Sequence, residues 1–280
     1  RALEYNLNSY FQIANLPAES GFLADYTGAY GAVSVRRLSN KATKCMRVRR
    51  SVSPFDEQDI GFDSNGDLDT AAIADFGGSD PLTVSRWYDQ SGEGNNAAQG
   101  TATAQPSIYD GSSVYTENGK SAIYFDGNSK RLFSSNTGPT FDLADIGVYA
   151  VCAAESGHNS YATAVDIGNT DASDAFMAYR TNQIGYRGVT AIATTTPLQQ
   201  NLWSLYADSA SNESKGRVNA GTFDFSSVSG SATRDQYSIG TIRNIAYWKG
   251  TIQEMVFFDE SKKSENAAIE TAINTYFSIY

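Results

Sequence analysis

Short runs in which apolar and polar residues alternate recur along most of the chain. Gly31 to Leu38 (GAVSVRRL) alternates in this way, and Met46 to Ser53 repeats the pattern. Alternation with a period of two is typical of strands with one buried face. Further runs are separated by clusters of Gly, Asn, Asp and Ser: Thr83 to Tyr88, Ser121 to Phe125, Ile146 to Ala153, Ala162 to Ile167, Ala175 to Tyr179, Gln183 to Arg187, Leu202 to Ala207, Gln236 to Ile239 and Gly250 to Phe258. Many short strands without helices between them predict an all-β sandwich or barrel.

Two segments depart from this pattern and predict helices. A short helix over Ala71 to Phe76 can be capped by Asp69 or Thr70, and Gly77-Gly78 ends it. Near the C-terminus, Ser264 can cap a helix whose apolar residues recur at helical spacing: Ala268, Ile269, Ala272, Ile273, Tyr276 and Phe277. We expect this second helix to pack on the outside of the sandwich. No linker, repeat or change of composition divides residues 1–280, so we expect a single domain.

Composition and charge limit the partners of the protein. The net charge is −10, and no stripe of Lys and Arg is available to replace the counterions of a phosphate backbone, so we expect no nucleic-acid partner. No apolar run approaches the ~18 residues that span a bilayer, so we expect no membrane partner. An acidic surface rich in Asn, Ser, Thr and Gly favours an extracellular, secreted or particle-surface protein, and the start at Arg1 is what a trimmed mature chain would show.

Metal and thiol chemistry are restricted by the few residues available for it. Cys45 and Cys152 could form one bridge, but two cysteines cannot supply a disulfide framework or a four-thiolate zinc site. The single histidine, His158, excludes a cluster of histidine ligands. We therefore expect no cofactor. A structural calcium ion is the alternative, held by the alternating polar residues Asp63, Asn65, Asp67 and Asp69, although this segment lacks the Gly and distant Glu of an EF-hand.

Two motifs carry a resemblance to a known family. Trp87 to Gln99 reads WYDQSGEGNNAAQ, and Asn118 to Gly127 reads NGKSAIYFDG. Together with SVRRLSN and QDIGFDSNGDLDTAA, they resemble the catalytic domain of family 54 α-L-arabinofuranosidases. They are also similar to concanavalin A-like domains of marine bacterial enzymes and phage tail proteins. The resemblance covers roughly the first half of the chain and implies a concanavalin A-like jelly-roll β-sandwich, with the short helix and the C-terminal helix added to it.

The resemblance also implies where two catalytic carboxylates should lie. A retaining arabinofuranosidase needs a nucleophile and an acid/base on opposite sides of the glycosidic bond. The stretch equivalent to the family's nucleophile strand, between Arg180 and Trp203, contains no Asp or Glu. The strand equivalent to the one before the family's acid/base reads SIGTIRN, and the aligned residue is Arg243. We therefore predict that both carboxylates are missing and that the chain is not an arabinofuranosidase.

Basic and aromatic residues take the place of the acids: Arg180, Tyr186, Arg187, Arg243 and Tyr247. Arg forms bidentate pairs with carboxylate or sulfate groups, which predicts a polymeric glycan partner that is anionic. The same residue types serve β-elimination on uronic acids, where a cation neutralises the carboxylate, a base removes the C5 proton and a Tyr hydroxyl protonates the leaving oxygen. Jelly-roll lyases that act on ulvan and alginate resemble this chain in size and fold type.

The candidate site residues follow from this chemistry. The catalytic candidates are Arg243, Tyr247, His158 and Tyr186, and the substrate-binding candidates are Arg180, Arg187, Lys130, Arg131 and Trp248. His158, Lys130 or a Tyr could be the base, but His158 and Lys130 both lie in loop-like segments that solvation alone would explain. Trp248 is the best candidate for stacking on a sugar ring, whereas Trp87 and Trp203 are expected in the core.

Two functions remain open on the sequence. The first is a secreted lyase that cleaves an acidic, marine-type polysaccharide in an Arg/Tyr-lined groove. The second is a non-catalytic glycan-binding or adhesion module, as on a phage tail fibre or a cell surface.

Overall fold

The structure is a computed structural model that describes residues 18–134, 140–157, 162–169, 172–180, 183–185, 199–226, 233–242 and 244–280. The described helices are α1 (Phe22–Asp25), α2 (Thr70–Gly77) and α3 (Asn266–Phe277), with a 3-10 turn at Ala102–Ala104. The described strands are β1 (Ala29–Ser34), β2 (Met46–Arg50), β3 (Glu57–Ile60), β4 (Leu82–Trp87), β5 (Ala97–Ala98), β6 (Ser107–Tyr109), β7 (Thr116–Glu117), β8 (Lys120–Ser121), β9 (Ile123–Asp126), β10 (Leu132–Ser134), β11 (Phe141–Asp142), β12 (Ile146–Ala154), β13 (Ala162–Asn169), β14 (Ala172–Arg180), β15 (Gln183–Gly185), β16 (Gln200–Asp208), β17 (Glu213–Val218), β18 (Asp224–Ser226), β19 (Thr233–Arg234), β20 (Tyr237–Ile239), β21 (Thr241–Ile242), β22 (Ala246–Tyr247) and β23 (Lys249–Phe258).

Most of the strands form two sheets, which are connected through β6. The first sheet has the order β18-β17-β16-β12-β23, and the far edge of β23 is divided between β1 and β9. The second sheet has the order β3-β2-β4-β5-β10-β20-β13-β14-β15. β6 joins the two sheets, because it pairs with β4 on one side and with β9 on the other. The all-β sandwich that the alternating runs predict is confirmed.

The core lies between the inner faces of the two sheets. The ring of Tyr237 on β20 stacks on Phe257 of β23, with centroids 4.3 Å apart. Trp203 on β16 meets Trp248 edge to face at 5.6 Å. Trp87 is also fully buried, so the prediction that Trp87 and Trp203 belong to the core is confirmed.

The first sheet is covered on both faces. Every residue of β12 is buried, which a strand achieves only when something packs on each side of it. The second covering layer is α3, which buries Ile269, Ile273 and Phe277. The Tyr149 hydroxyl on β12 donates to Asn266 Oδ1 at 2.8 Å, which fixes the start of α3 against the sheet. The predicted position of this helix outside the sandwich is thus confirmed.

The helix starts follow the predicted signals only in part. Asp69 caps α2, because its Oδ1 accepts a hydrogen bond from Ala72 N at 3.0 Å. The prediction that Ser264 caps the last helix is wrong. Glu265 occupies the N-cap position of α3, and no side-chain cap bond is formed there. The last helix is held by its buried face and its contacts to the sheet rather than by its cap.

The acidic side chains of the segment before α2 form hydrogen bonds and an ion pair with other residues of the protein. Asp63 Oδ1 accepts hydrogen bonds from Asn65 N and Asp67 N, both at 2.9 Å, which closes a turn. Asp67 accepts a hydrogen bond from the Tyr276 hydroxyl and lies 3.5 Å from Lys120 Nζ. Within the described ranges, no three His, Cys, Asp or Glu residues are grouped as ligands of a metal ion would be.

Two further expectations from the sequence concern a disulfide bridge and membrane-spanning helices. Cys45 and Cys152 are both buried and free, and they do not form the bridge that the sequence left open. Burial raises the pKa of both thiols well above the ordinary value. In the part of the chain that the structure describes, no helix combines the length and the apolar character needed to cross a bilayer.

Candidate functional site

A row of side chains crosses the outer face of the second sheet. Strand pairing aligns one residue from each of five neighbouring strands: Ser238 (β20), Phe133 (β10), Ala98 (β5), Arg86 (β4) and Arg47 (β2). Residues that lie opposite each other on paired strands project from the same face of the sheet. These residues are far apart in sequence, and only the register of the strands brings them together.

Burial shows which face the row occupies. Trp87, next to Arg86, is fully buried, and Leu132, next to Phe133, is fully buried as well. Since successive strand residues point to opposite faces, Arg86 and Phe133 project away from the core. Both are half-buried, as expected of a face that is open to solvent. Ala98 lies between them, and its small side chain leaves a shallow depression in the surface. Phe133 and Arg86 are two strand spacings, or about 10 Å, apart.

The two arginines of the row have different partners. Arg47 donates from Nε to Asp59 Oδ1 at 2.7 Å, and from a terminal nitrogen to Asp59 Oδ2 at 3.2 Å. The Arg86 side chain forms no hydrogen bond or ion pair with any described residue, and its guanidinium lies 5.8 Å from the ring centroid of Tyr88. Arg86 is therefore a half-exposed cation that has an aromatic neighbour and no carboxylate partner in the described part of the chain.

Arg131 is a second cation of this kind. Its guanidinium lies 5.7 Å from the ring centroid of Phe133 and 5.9 Å from that of Tyr247. It donates one hydrogen bond, to the carbonyl oxygen of Ser129 at 2.8 Å. No described carboxylate pairs with it. We call the group formed by Arg86, Arg131, Phe133 and Tyr247 the arginine face.

Several buried polar atoms beside Arg131 lack a partner among the described residues: Arg131 Nε, Thr241 Oγ1 and Asn244 Oδ1. Thr241 pairs with Tyr247 across β21 and β22, so both side chains lie on the face that Arg131 occupies. Buried polar groups in folded proteins are nearly always hydrogen-bonded. Core atoms such as Trp203 Nε1 and Trp248 Nε1 also lack a described partner, so these atoms alone do not mark a ligand site.

The backbone around Arg131 is held close to the turn after β20. Gly240 has a φ of 82°, and a Cβ there would collide with the ring of Phe125 and lie 3.1 Å from the carbonyl oxygen of Lys130. Only glycine accepts both conditions easily. Lys130 points away from this contact and donates to the carbonyl oxygen of Thr103 at 3.1 Å. The loop that carries Arg131 is thereby fixed against β20 and the 3-10 turn.

Solved structures of known proteins share this architecture. A mutant GH54 α-L-arabinofuranosidase soaked with 4-nitrophenyl α-L-arabinofuranoside matches at 16% identity with a TM-score of 0.64. An arabinofuranosidase complexed with arabinofuranosyl-α-1,2-xylobiose matches at 16% identity with a TM-score of 0.57. The likeness shows a shared fold. In both cases it covers 88% of this chain and 62% of the other, so the chain spans less than two thirds of the length of these proteins. No protein-family model matches the chain, and no curated protein matches it at a significant level.

The prediction that Trp248 stacks on a sugar ring is wrong. Trp248 is fully buried and packs against Trp203 in the core. Its backbone N–H donates to the carbonyl oxygen of Gly240 at 2.9 Å. Successive strand residues point to opposite faces, so Trp248 lies in the core and Tyr247 lies at the surface.

The remaining candidates are placed unevenly. Arg131 lies beside Tyr247, Lys130 precedes it in the loop before β10, and Arg180 is the last residue of β14, with its side chain outside the described part. Four candidates lie outside the described residues: His158, Tyr186, Arg187 and Arg243. So do most of the acid-free stretch before Trp203 and the residue aligned with the family's acid/base. The roles of these residues stay predictions.

Sequence reasoning missed Arg86. The run Thr83 to Tyr88 shows the alternation that places Arg86 on the polar side of β4, so its exposure could have been inferred. Its lack of a carboxylate partner depends on the register of β4 with β2 and β5. No local pattern reports that register.

Proposed function

We propose that this chain is a glycan-active domain that binds an acidic polysaccharide on the arginine face. The observation that carries the proposal is the pair of half-exposed guanidiniums, Arg86 and Arg131, that lack carboxylate partners among the described residues. In a protein of net charge −10, two cations that pair with no described carboxylate are suited to an anionic ligand from outside. A guanidinium can hold a carboxylate or sulfate through two parallel hydrogen bonds.

The neighbouring rings suit a sugar polymer. Phe133 and Tyr247 flank Arg131, and Tyr88 lies beside Arg86, so each cation has an apolar surface next to it. Aromatic rings bind the C–H faces of sugar rings, while the guanidiniums bind the acidic substituents. The similarity in fold to arabinofuranosidase structures, one of which holds an arabinofuranosyl-xylobiose, supports a carbohydrate ligand.

As the activity of this site, we propose β-elimination on a uronic-acid polymer. Arg131 would neutralise the carboxylate, which makes the C5 proton more acidic. The Tyr247 hydroxyl, with its ring beside Arg131, would protonate the leaving oxygen. The base would come from the candidates that the sequence nominates, His158, Tyr186 or Lys130. Arg243 would add a third cation.

One observation favours the non-catalytic alternative. The Tyr247 hydroxyl donates to the carbonyl oxygen of Asn244 at 2.7 Å, and Lys130 Nζ is bound by the carbonyl oxygen of Thr103. Both groups would have to leave these partners before they could transfer a proton. A module that only binds an acidic glycan would use the arginines and rings as they stand.

The experiment is an incubation with polygalacturonate, alginate and ulvan, with binding measured by calorimetry and cleavage by ultraviolet absorbance of the unsaturated product. Binding with a rise in absorbance is the expected result for a lyase. Binding without a rise would select the non-catalytic module. Neither binding nor cleavage of any of the three polymers would reject an acidic glycan ligand.

We also expect no arabinofuranosidase activity, because the chain has no acid between Arg180 and Trp203 and has Arg243 where the resemblance implies the family's acid/base. The measurement is release of nitrophenol from a nitrophenyl α-L-arabinofuranoside. Turnover that disappears when a single Asp or Glu is replaced would refute this expectation.

A further inference from the structure

A second group of surface side chains lies where β9 meets β23. Tyr124 stands between Ile123 and Phe125, both fully buried, so its ring projects outwards from β9. The ring of Tyr115 stacks on it, with centroids 5.1 Å apart and an interplanar angle of 12°. Both rings are half-buried, so the pair is fixed in place and still reaches the surface.

Charged groups are arranged around the two rings. The Tyr124 hydroxyl donates to Glu155 Oε2 at 2.9 Å. Burial, together with this bond, raises the pKa of Tyr124 to about 12, so its hydroxyl keeps its proton at neutral pH. The Glu155 side chain is 48% exposed, and its other oxygen accepts no hydrogen bond from a described residue. Lys249 Nζ lies 3.8 Å from Glu155 Oε2 and donates to the carbonyl oxygen of Ser156 at 2.7 Å.

We propose that Tyr115, Tyr124, Glu155 and Lys249, here called the tyrosine platform, form a binding site for a neutral sugar. The platform offers a flat aromatic surface for the C–H face of a sugar ring. Beside it, the open oxygen of Glu155 accepts from sugar hydroxyls and the Lys249 ammonium donates to them. Tyr115, whose hydroxyl has no hydrogen-bond partner among the described residues, adds a further polar group.

Local charge sets the ligand class. Asp126 lies opposite Lys249 in the register of β9 and β23, so this surface carries two carboxylates, those of Asp126 and Glu155, for one ammonium group. An acidic sugar would be repelled here, whereas a neutral sugar would find acceptors for its hydroxyls. The tyrosine platform thus has the opposite preference to the arginine face, and this inference does not depend on the function proposed for that face.

The test uses the whole chain and three neutral probes: cellohexaose, xylohexaose and α-1,5-arabinohexaose. We expect calorimetry to detect binding of at least one of them. Tyr115→Ala should weaken that binding by about tenfold, because it removes the stacking surface. Glu155→Gln should weaken it by about threefold, because an amide oxygen accepts less strongly than a carboxylate and still keeps the bond from Tyr124. Tyr115→Phe, which keeps the ring, should retain most of the affinity.

Arg131→Ala is the control that separates the two sites. It should leave binding of the neutral probe unchanged, and Glu155→Gln should leave binding of an acidic polymer unchanged or slightly stronger. Lack of binding to all three probes would overturn the inference. So would a bound probe whose affinity is the same in the wild type, Tyr115→Ala and Glu155→Gln. Because Glu155 is half-exposed, its variant keeps the test valid even if Tyr115→Ala fails to fold.

Discussion

Arginines on the outer faces of the two sheets differ in whether they pair with a carboxylate. Outside the first sheet, Arg217 donates to Glu270 through two nitrogens, and Arg36 does the same to Glu254 at 2.7 and 2.9 Å. Outside the second sheet, Arg86 and Arg131 have aromatic neighbours and no carboxylate partner among the described residues. On this second face Arg47 is paired with Asp59, whereas Arg86 and Arg131 are left available to a ligand.

Arg36, outside the first sheet, shows how the fold stabilises a nearly buried arginine. Glu254 is 1% exposed and also accepts from the Ser34 hydroxyl at 2.7 Å, so its carboxylate is satisfied on several sides. Burial opposes the charge of Arg36, but Glu254 raises the pKa of Arg36 above its ordinary value. The ring of Tyr276 lies 4.9 Å from the guanidinium and completes its surroundings. Arg86 and Arg131 have the aromatic part of this arrangement, but no described carboxylate pairs with them.

The largest effect is expected from breaking a paired arginine. Glu254→Ala should lower the free energy of unfolding by about 3–5 kcal/mol, because it leaves the charge of Arg36 buried and uncompensated. Arg86→Ala should change it by less than about 0.5 kcal/mol, because the side chain is half-exposed and forms no ion pair with a described residue. Urea unfolding of both variants measures the difference. Equal destabilisation would remove the distinction between the two faces.

A similar loss is expected when the covering helix is weakened. Ile273 is fully buried on the face of α3 that packs against the first sheet. Ile273→Ala should lower the free energy of unfolding by about 2–5 kcal/mol, through lost burial and the cavity left behind. Ala268→Ser, on the exposed side of the same helix, is the matched control. If Ile273→Ala instead altered glycan affinity without altering stability, α3 would belong to the binding site.

Local signals in the sequence were enough for the layers of the fold. The alternating runs predicted the main strands, and the cap at Asp69 was visible because a cap involves residues three positions apart. The helical spacing of Ile269, Ile273 and Phe277 predicted the covering helix for the same reason. Each of these features depends on neighbours within one or two turns of chain.

The candidate site was harder to predict, because it depends on strand register. The sequence favours Trp248, between Tyr247 and Lys249, as a surface residue, but the pairing of β22 and β23 with other strands turns it into the core. Arg86 and Phe133 come within two strands of each other only through β5. A missing partner, as at Arg86, can be recognised only once every residue opposite it is known.

A moderate effect is expected at the unpaired arginines. Arg131→Ala should weaken binding to an acidic polysaccharide by roughly ten- to a hundredfold, equivalent to about 1.4–2.8 kcal/mol, because one charge-assisted bidentate contact is lost. Arg131→Lys should recover only part of this, since an ammonium cannot bind a carboxylate bidentately. Arg243→Ala is expected to behave in the same way.

Calorimetry with the polymer that binds the wild type measures these affinities. Arg37→Ala, which removes an exposed arginine away from the arginine face, controls for the change in net charge. If Arg37→Ala and Arg131→Ala lost the same affinity for the polymer, the binding would depend on net charge and not on the arginine face.

The smallest effect concerns Arg47, the arginine of the row that does have a partner. Asp59 accepts hydrogen bonds from Arg47, from Lys44 at 2.6 Å and from the Tyr88 hydroxyl at 2.6 Å. These bonds, that of Arg47 above all, lower the pKa of Asp59 well below its ordinary value of 3.8. A carboxyl whose pKa falls on folding binds fewer protons in the folded state. Its contribution to stability is therefore present above the unfolded pKa and is lost as the pH falls from about 4 towards 2.

Because the Arg47 and Lys44 side chains are 36% and 52% exposed, solvent screens the cluster, and we expect Asp59 to contribute at most about 1 kcal/mol. Asp59→Asn should then be less stable than the wild type at pH 6, and the difference should shrink as the pH approaches 2. Urea midpoints measured from pH 2 to 6 at constant ionic strength give this curve, and Asp75→Asn, which removes an exposed acid from α2, controls for the change in net charge. A pH-independent difference for Asp59→Asn would mean that packing, rather than charge, holds Arg47 in place. The contrast between Arg47 and Arg86 would then no longer rest on a carboxylate.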